Sequence, residues 1–143
     1  MAFLQNNAVT YGYDDLDEAF PPIDPGVQPM GSKVLFQLRT PKKKTKGGIL
    51  LLDETRETDH WNTQVAKVVA IGPLAFKNRA TGEGWPEGAW CQPGDFVRVP
   101  KYGGDRWSVK TGGPDGEEAV VVIFNDLDIS AKVEDPLSMK AFL

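Results

Sequence analysis

The chain has one cysteine, Cys91, and one histidine, His60, in 143 residues. A single thiol closes no internal disulfide, which excludes a stapled secreted fold. One Cys and one His are too few soft ligands for a zinc site, so no metal is expected. No apolar run approaches the roughly 20 residues of a membrane helix. Residues 1–7 lack the basic start and apolar stretch of a signal peptide, and a reducing cytosol is the expected compartment. No segment keeps a long 3.6-residue apolar period, so no long amphipathic helix is expected. Catalytic groups are equally sparse. His60 and Cys91 fall in or beside different loops, and nothing around them resembles a nucleophile elbow or a cysteine-protease signature. Gly103-Gly104 and Gly112-Gly113 precede or separate strands rather than opening a helix, so neither is a phosphate-binding loop. The acidic pairs Asp53-Glu54 and Glu117-Glu118 read as surface charge. The expectation is therefore a protein without an active site and without a cofactor of its own.

What is present is β-rich and punctuated. Val34, Phe36 and Leu38 alternate through 33–39, the period of a half-buried strand. Residues 65–71 form a second β-rich run closed by Gly72-Pro73, and 96–99 a third between Pro93-Gly94-Asp95 and Pro100. Residues 107–110 make a fourth. Residues 119–124, almost continuous in Val and Ile, make a fifth that should be buried on both faces. The Gly-, Pro- and Asp-rich stretch 111–116 joins the last two as a hairpin loop. Fifteen Gly and 11 Pro among short strands imply an all-β fold, a small barrel or sandwich.

Charge divides the chain further. The net −4 is uneven: residues 1–27 carry −5, 28–133 carry +2 and 134–143 carry −1. Residues 1–28 hold Asp14, Asp15, Asp17, Glu18 and Asp24 with no base, but also Phe3, Leu4, Tyr11, Tyr13 and Phe20. This acidic extension reads either as a disordered tail or as a strap docking on a partner or neighbouring subunit. Two connections, 40–60 and 74–92, are too long for plain turns in a compact domain and so are candidates for function. The first begins with five bases in eight residues, Arg39, Lys42, Lys43, Lys44 and Lys46, and ends acidic at Asp53, Glu54, Glu57 and Asp59. Between lies Gly47-Gly48-Ile49-Leu50-Leu51-Leu52. These aliphatics form either a short core strand or an apolar anchor offered to another protein, with the glycines as hinge.

At this point the sequence resembles the GroES-type co-chaperonins. Pro29-Met30-Gly31-Ser32-Lys33-Val34-Leu35 is similar to the family's opening strand, and Gly47-Gly48-Ile49-Leu50-Leu51 to the G-G-I-V-L of its mobile loop. Val68-Val69-Ala70-Ile71-Gly72-Pro73 resembles V-V-A-V-G-P, and Pro93-Gly94-Asp95-Phe96-Val97 the family's G-D turn. Lys101-Tyr102-Gly103-Gly104 matches K-Y-G-G, Asp115-Gly116-Glu117-Glu118 leads into the last core strand, and Asp128-Ile129 falls at the closing D-I. Each motif is weak alone; their shared order over residues 29–134 carries the resemblance. Ala66 departs from the pattern, standing where the family often has Gly.

The resemblance implies a small irregular β-barrel with a mobile loop at about 40–60 and a roof hairpin at about 74–92. To it are added the N-terminal extension 1–28 and a C-terminal one, 135–143. It implies a homo-heptamer that caps a GroEL-type chaperonin ring in a nucleotide-dependent manner and encloses unfolded substrate protein. ATP is bound by the chaperonin, not by this chain. Gly47, Gly48, Ile49, Leu50 and Leu51 would bind the chaperonin. Val34, Phe36 and Leu38 with Leu127, Ile129 and Val133 would meet the neighbouring subunit, or else serve the barrel's own core. Trp85 and Trp90, bulky for a roof loop, would face the chamber or pack between subunits. The extensions suggest a divergent, viral member acting in a host cytoplasm. The alternatives are a nucleic-acid-binding barrel, using Arg39 and the Lys42–46 cluster with Trp61 as a stacking surface, and a viral structural protein that borrowed the barrel.

Overall fold

All five of the expected strands form. The computed structural model describes residues 8–9, 15–40, 63–112, 117–138 and 141–142. Its elements are β1 (Ala8–Val9), α1 (Leu16–Ala19), β2 (Lys33–Leu38), β3 (Val65–Ile71), β4 (Phe96–Arg98), β5 (Asp105–Lys110), β6 (Glu118–Asn125), β7 (Ala131–Lys132) and β8 (Ala141–Phe142). Six strands make one antiparallel sheet in the order β5-β6-β2-β3-β4-β7, and β1 pairs with β8 apart from it. The fold is all-β and barrel-like, with one four-residue α-helix and one 3-10 turn at Asp126–Asp128 among the described residues. Strand β5 starts two residues before the expected run. The polar Asp105 and Arg106 hid its beginning, but they pair with Ile123 and Val122. Arg106 turns its guanidinium onto the carbonyls of Gly103, Pro100 and Lys101 and lies 5.5 Å from the Phe124 ring centroid.

Alternation places the main core on one face of the sheet. Val34, Phe36 and Leu38 from β2 meet Ala66 and Val68 from β3, Val97 from β4, and Val120, Val122 and Phe124 from β6. Phe76, Cys91 and Ile129 join this core from outside the strands. As expected, β6 is buried through most of its length on both faces.

Strand β2 differs from its expectation. A half-buried strand should expose every second residue, yet every residue from Val34 to Leu38 is buried, Gln37 included. The extra cover comes from the two extensions. Asp15 caps α1 by accepting a hydrogen bond from the Glu18 N–H at 2.9 Å, and Asp17 and Glu18 sit in the first turn, where the helix dipole favours acids. The helix delivers Ala19 and Phe20 against Val65, with Phe96 and Leu137 packed beside them in a second core. The Phe20 and Phe96 rings lie 5.1 Å apart. Gln37 Nε2 donates to the Pro21 carbonyl at 2.8 Å, and Arg39 Nη1 to the Pro136 carbonyl at 2.8 Å. Residues 18–21 of the N-terminal extension thus lie on the chain's own barrel.

Two glycines in the family-like motifs are fixed by contact. A Cβ at Gly72 would run into the Gly31 carbonyl oxygen and approach that of Lys33 to 2.9 Å. Gly104 has a φ of +74°, and its Cβ would sit 2.7 Å from Val122 Cγ2 and 2.8 Å from Phe124 Cε1. Gly72→Ala and Gly104→Ala should each lower unfolding free energy in urea melts by about 1–3 kcal/mol. Gly84→Ala, where the added methyl meets nothing within 4 Å, should stay within about 0.5 kcal/mol of the parent.

Candidate functional site

Gly47, Gly48, Ile49, Leu50 and Leu51, the expected anchor, lie outside the described residues, as do Lys42, Lys43, Lys44, Lys46 and Trp61. Their frame is described. Segment 41–62 leaves the barrel at Thr40, at the end of β2, and returns at Thr63, at the start of β3. These strands are antiparallel partners, so the two roots stand side by side. The Arg39 N–H donates to the Val65 carbonyl at 2.9 Å, and the Val99 N–H to the Gln64 carbonyl at 2.9 Å. Thr63 is buried and Thr40 half-buried. Arg39, expected at the head of a basic stretch, is fully buried beneath the C-terminal extension. It therefore presents no charge to solvent.

The second long connection is a true hairpin. Lys77 and Gly84 form a β-bridge, and the Asn78 N–H donates to the Glu83 carbonyl at 2.7 Å. The tip, 77–84, is exposed, whereas the base is tied to the core by rings. Phe76 is buried, with Trp85 at 5.5 Å and Trp90 at 6.1 Å, and the two indoles are 5.0 Å apart. Trp90 Nε1 donates to Glu87 Oε1 at 2.7 Å. Both tryptophans therefore pack within their own subunit, an arrangement the sequence reading did not include. It also missed Phe76 and Asp126. Phe76 has a φ of +59°, and its N–H donates to the buried Asp126 carboxylate at 3.0 Å. A third aromatic residue in a loop that already holds two tryptophans was the available signal for Phe76; a contact across 50 residues left none for Asp126.

The residues offered for subunit contact divide sharply. Val34, Phe36, Leu38, Ile129 and Val133 are all buried within the chain. Val34, Phe36, Leu38 and Ile129 belong to the barrel's main core cluster. Leu127 is different, with 70% of its surface exposed, and so is Met30, at 78%.

No catalytic arrangement stands among the described residues. A cleft of about 420 Å³ is lined by Lys33, Tyr102, Asp105, Asn125 and Asp128 over Ile123 and Phe124. Lys33 Nζ donates to Asn125 Oδ1 at 3.2 Å, and the cleft lining includes no thiol or imidazole. No three of His, Cys, Asp and Glu gather as a metal site among the described residues. The Cys91 thiol is pushed up to about 11, first by burial, then by Asp95, against a smaller opposing effect of Lys132. A thiol so held is a poor nucleophile near neutrality. Burial also lowers the Arg106 guanidinium from its ordinary value.

Cys91 makes a test of this packing. Its thiol should resist an aromatic disulfide reagent at pH 8 in the native protein and react at once in denaturant. Because its folded pKa is raised, its proton stays on in the native state between the ordinary value of 9.0 and about 11 while the unfolded chain loses it. Native stability should fall with pH across that window. The difference in unfolding free energy between the parent and Cys91→Ala should shrink over the same range.

Comparison with known proteins agrees with this architecture. The profile of Cpn10, the Chaperonin 10 Kd subunit, matches residues 26–133. The chain is 33% identical to the Co-chaperonin GroES of Thermus thermophilus over 101 residues, 71% of this chain and 87% of that protein. It is 30% identical to the Co-chaperonin GroES of Methylacidiphilum infernorum over 105 residues, 73% of this chain and 93% of that protein. That of Caldicellulosiruptor saccharolyticus is 28% identical over 109 residues, 76% of this chain and 98% of its own length. Co-chaperonins of this kind are chaperone cofactors, not enzymes, and need no cofactor of their own; nucleotide is bound by the chaperonin. An all-β barrel with paired loop roots, a hairpin tied to its core and a match through residues 26–133 place the chain in the Chaperonin 10 Kd subunit family, the co-chaperonins.

Proposed function

We propose that the chain caps a GroEL-type chaperonin ring when that ring holds nucleotide, and so encloses an unfolded protein for folding in the cytoplasm. The anchor is Ile49, Leu50 and Leu51, with Gly47 and Gly48 ahead of them. The observation that carries this reading is the side-by-side placement of Thr40 and Thr63. Segment 41–62 runs between these two roots, and it holds Ile49-Leu50-Leu51-Leu52, four large aliphatics with bases before them and acids after.

Magnitudes suit a reversible lid. Three aliphatic side chains fully buried contribute about 5–9 kcal/mol together. Ordering the chain that carries them costs roughly 1–2 kcal/mol per residue. One arm then binds weakly, and its net affinity responds to the state of the partner. A homo-heptamer multiplies the effect, because after the first contact the rest are intramolecular. Leu127, exposed at the centre of the 3-10 turn, is the member of the expected interface set with most surface to give a neighbouring subunit. The exposed hairpin tip 77–84 serves as the roof, and Trp85 and Trp90 stiffen its base. Burial of Arg39 weakens the nucleic-acid reading, since it removes the first charge of the basic stretch.

A pull-down on a GroEL-type ring, with ADP and without nucleotide, tests the reading. The parent should be retained only with nucleotide, and Ile49→Asp or Leu50→Asp should cut retention at least tenfold. Normal binding by those variants would show that the anchor lies elsewhere. Electron microscopy of the isolated protein should show heptameric rings; a uniform monomer at micromolar concentration would refute the assembly.

A further inference from the structure

The last hydrogen bond before segment 41–62 does not belong to the barrel. Arg39 is the final residue of its strand to donate across to β3, at the Val65 carbonyl. The next N–H, that of Thr40, turns instead to the Ala19 carbonyl at 2.9 Å. The Thr40 hydroxyl reaches the carbonyls of Glu18 and Ala19 at 2.9 and 3.0 Å. Those oxygens are C-terminal carbonyls of α1, which the helix cannot satisfy by itself. Thr40 thus caps the helix, and the helix holds Thr40.

Both extensions converge here. Phe20 follows the helix and packs in one cluster with Val65, two residues beyond the far root, and with Leu137 of the C-terminal extension. Arg39 is bound to the Pro136 carbonyl from the C-terminal side. Asp15, Phe20, Pro136 and Leu137 all lie outside the family match, which spans 26–133. The barrel and the arm belong to the family's span; the elements that grip the arm's root are this chain's addition.

We infer that the N- and C-terminal extensions clamp the roots of segment 41–62, with Thr40 and Phe20 as positioning residues that set how tightly the arm engages the chaperonin. The inference rests on the proposal that this segment carries the anchor. Releasing the clamp loosens Thr40 and its neighbours in the unbound protein, and docking must then order them again. With several arms on one ring the loss is repeated at each arm. Clamping therefore strengthens binding without adding a contact to the partner.

Two full-chain variants test this: Thr40→Val, which keeps shape and removes the hydroxyl, and Phe20→Ala, which removes the ring on which the helix rests. Affinity is read on a GroEL-type ring saturated with ADP, together with amide exchange. Thr40→Val should bind about threefold and Phe20→Ala about tenfold more weakly, and Phe20→Leu should recover most of the loss. Exchange at the Thr40 amide should quicken at least tenfold in Phe20→Ala while the Phe36 and Val122 amides keep their protection, a pattern that general destabilisation does not produce. Parent-like affinity in both variants, with Ile49→Asp still abolishing binding, overturns the clamp and leaves the anchor standing. Parent-like binding by Ile49→Asp overturns the anchor and the clamp with it. Should Phe20→Ala fail to fold, Thr40→Val decides alone, and unchanged affinity there rejects the inference.

Discussion

Everything in this molecule leans on the double burial of β2. The strand is hydrogen-bonded on both edges, to β3 and to β6, and is covered on both faces. Its inner face, through Val34, Phe36 and Leu38, organises the main core. Its outer face is closed by the extensions, which supply Gln37 and Arg39 with carbonyl partners at Pro21 and Pro136. Burying an amide and a guanidinium is unfavourable unless each finds hydrogen bonds. The outer face of β2 therefore requires those partners, and a chain without them would have to keep both groups in water.

That requirement changes the standing of the extensions. By composition, residues 1–27 are acidic and proline-broken, and their −5 exceeds the chain's net −4. In the fold, Phe20 and Leu137 complete a second apolar cluster. A chain of this size buries only about two-thirds of its unfolded surface, so a further cluster on the exposed side of a sheet is a material addition. Acidity and packing coexist because they occupy different positions. Asp15, Asp17 and Glu18 are exposed or cap α1, while Ala19 and Phe20 turn inward.

The sequence was legible where one short-range pattern decided the outcome. Alternation and β-branching located five strands, and the continuous apolar run of β6 foretold burial on both faces. The turn glycines and prolines placed the breaks, and ordered motifs from Pro29 to Ile129 led to the family. What was illegible depended on distant partners. The cover over β2 joins Gln37 to Pro21 and Arg39 to Pro136, separations of 16 and 97 residues. The two-residue strands β7 and β8 are too short to show a period. For the candidate site, the anchor's residue types stood out, but whether Val34 or Leu127 faced a neighbour could not be read from hydrophobicity. Leu127 and Ile129 are both apolar and two positions apart, yet one is exposed and the other buried because the 3-10 turn breaks strand alternation between β6 and β7.

The two long connections are held by opposite means, and this bears on how a lid works. At 74–92 the restraint comes from the loop's own rings together with the Asp126 carboxylate. A left-handed φ at Phe76 costs about 1–3 kcal/mol. Its N–H bond to a carboxylate returns about 1.5–3 kcal/mol, and its contacts with Trp85 and Trp90 add about 0.5–1.5 kcal/mol each. The strained residue is thus more than offset, and the hairpin base is fixed to the core by its own rings and by Asp126. At 41–62 the described restraint lies only at the roots, and it comes from segments remote in sequence: α1, Phe20 and Pro136. A roof must keep its shape whether or not a partner is present, so restraint by rings packed on the barrel core suits it. An anchor must respond to a partner, and restraint at its base leaves that response to the arm while fixing where the arm begins.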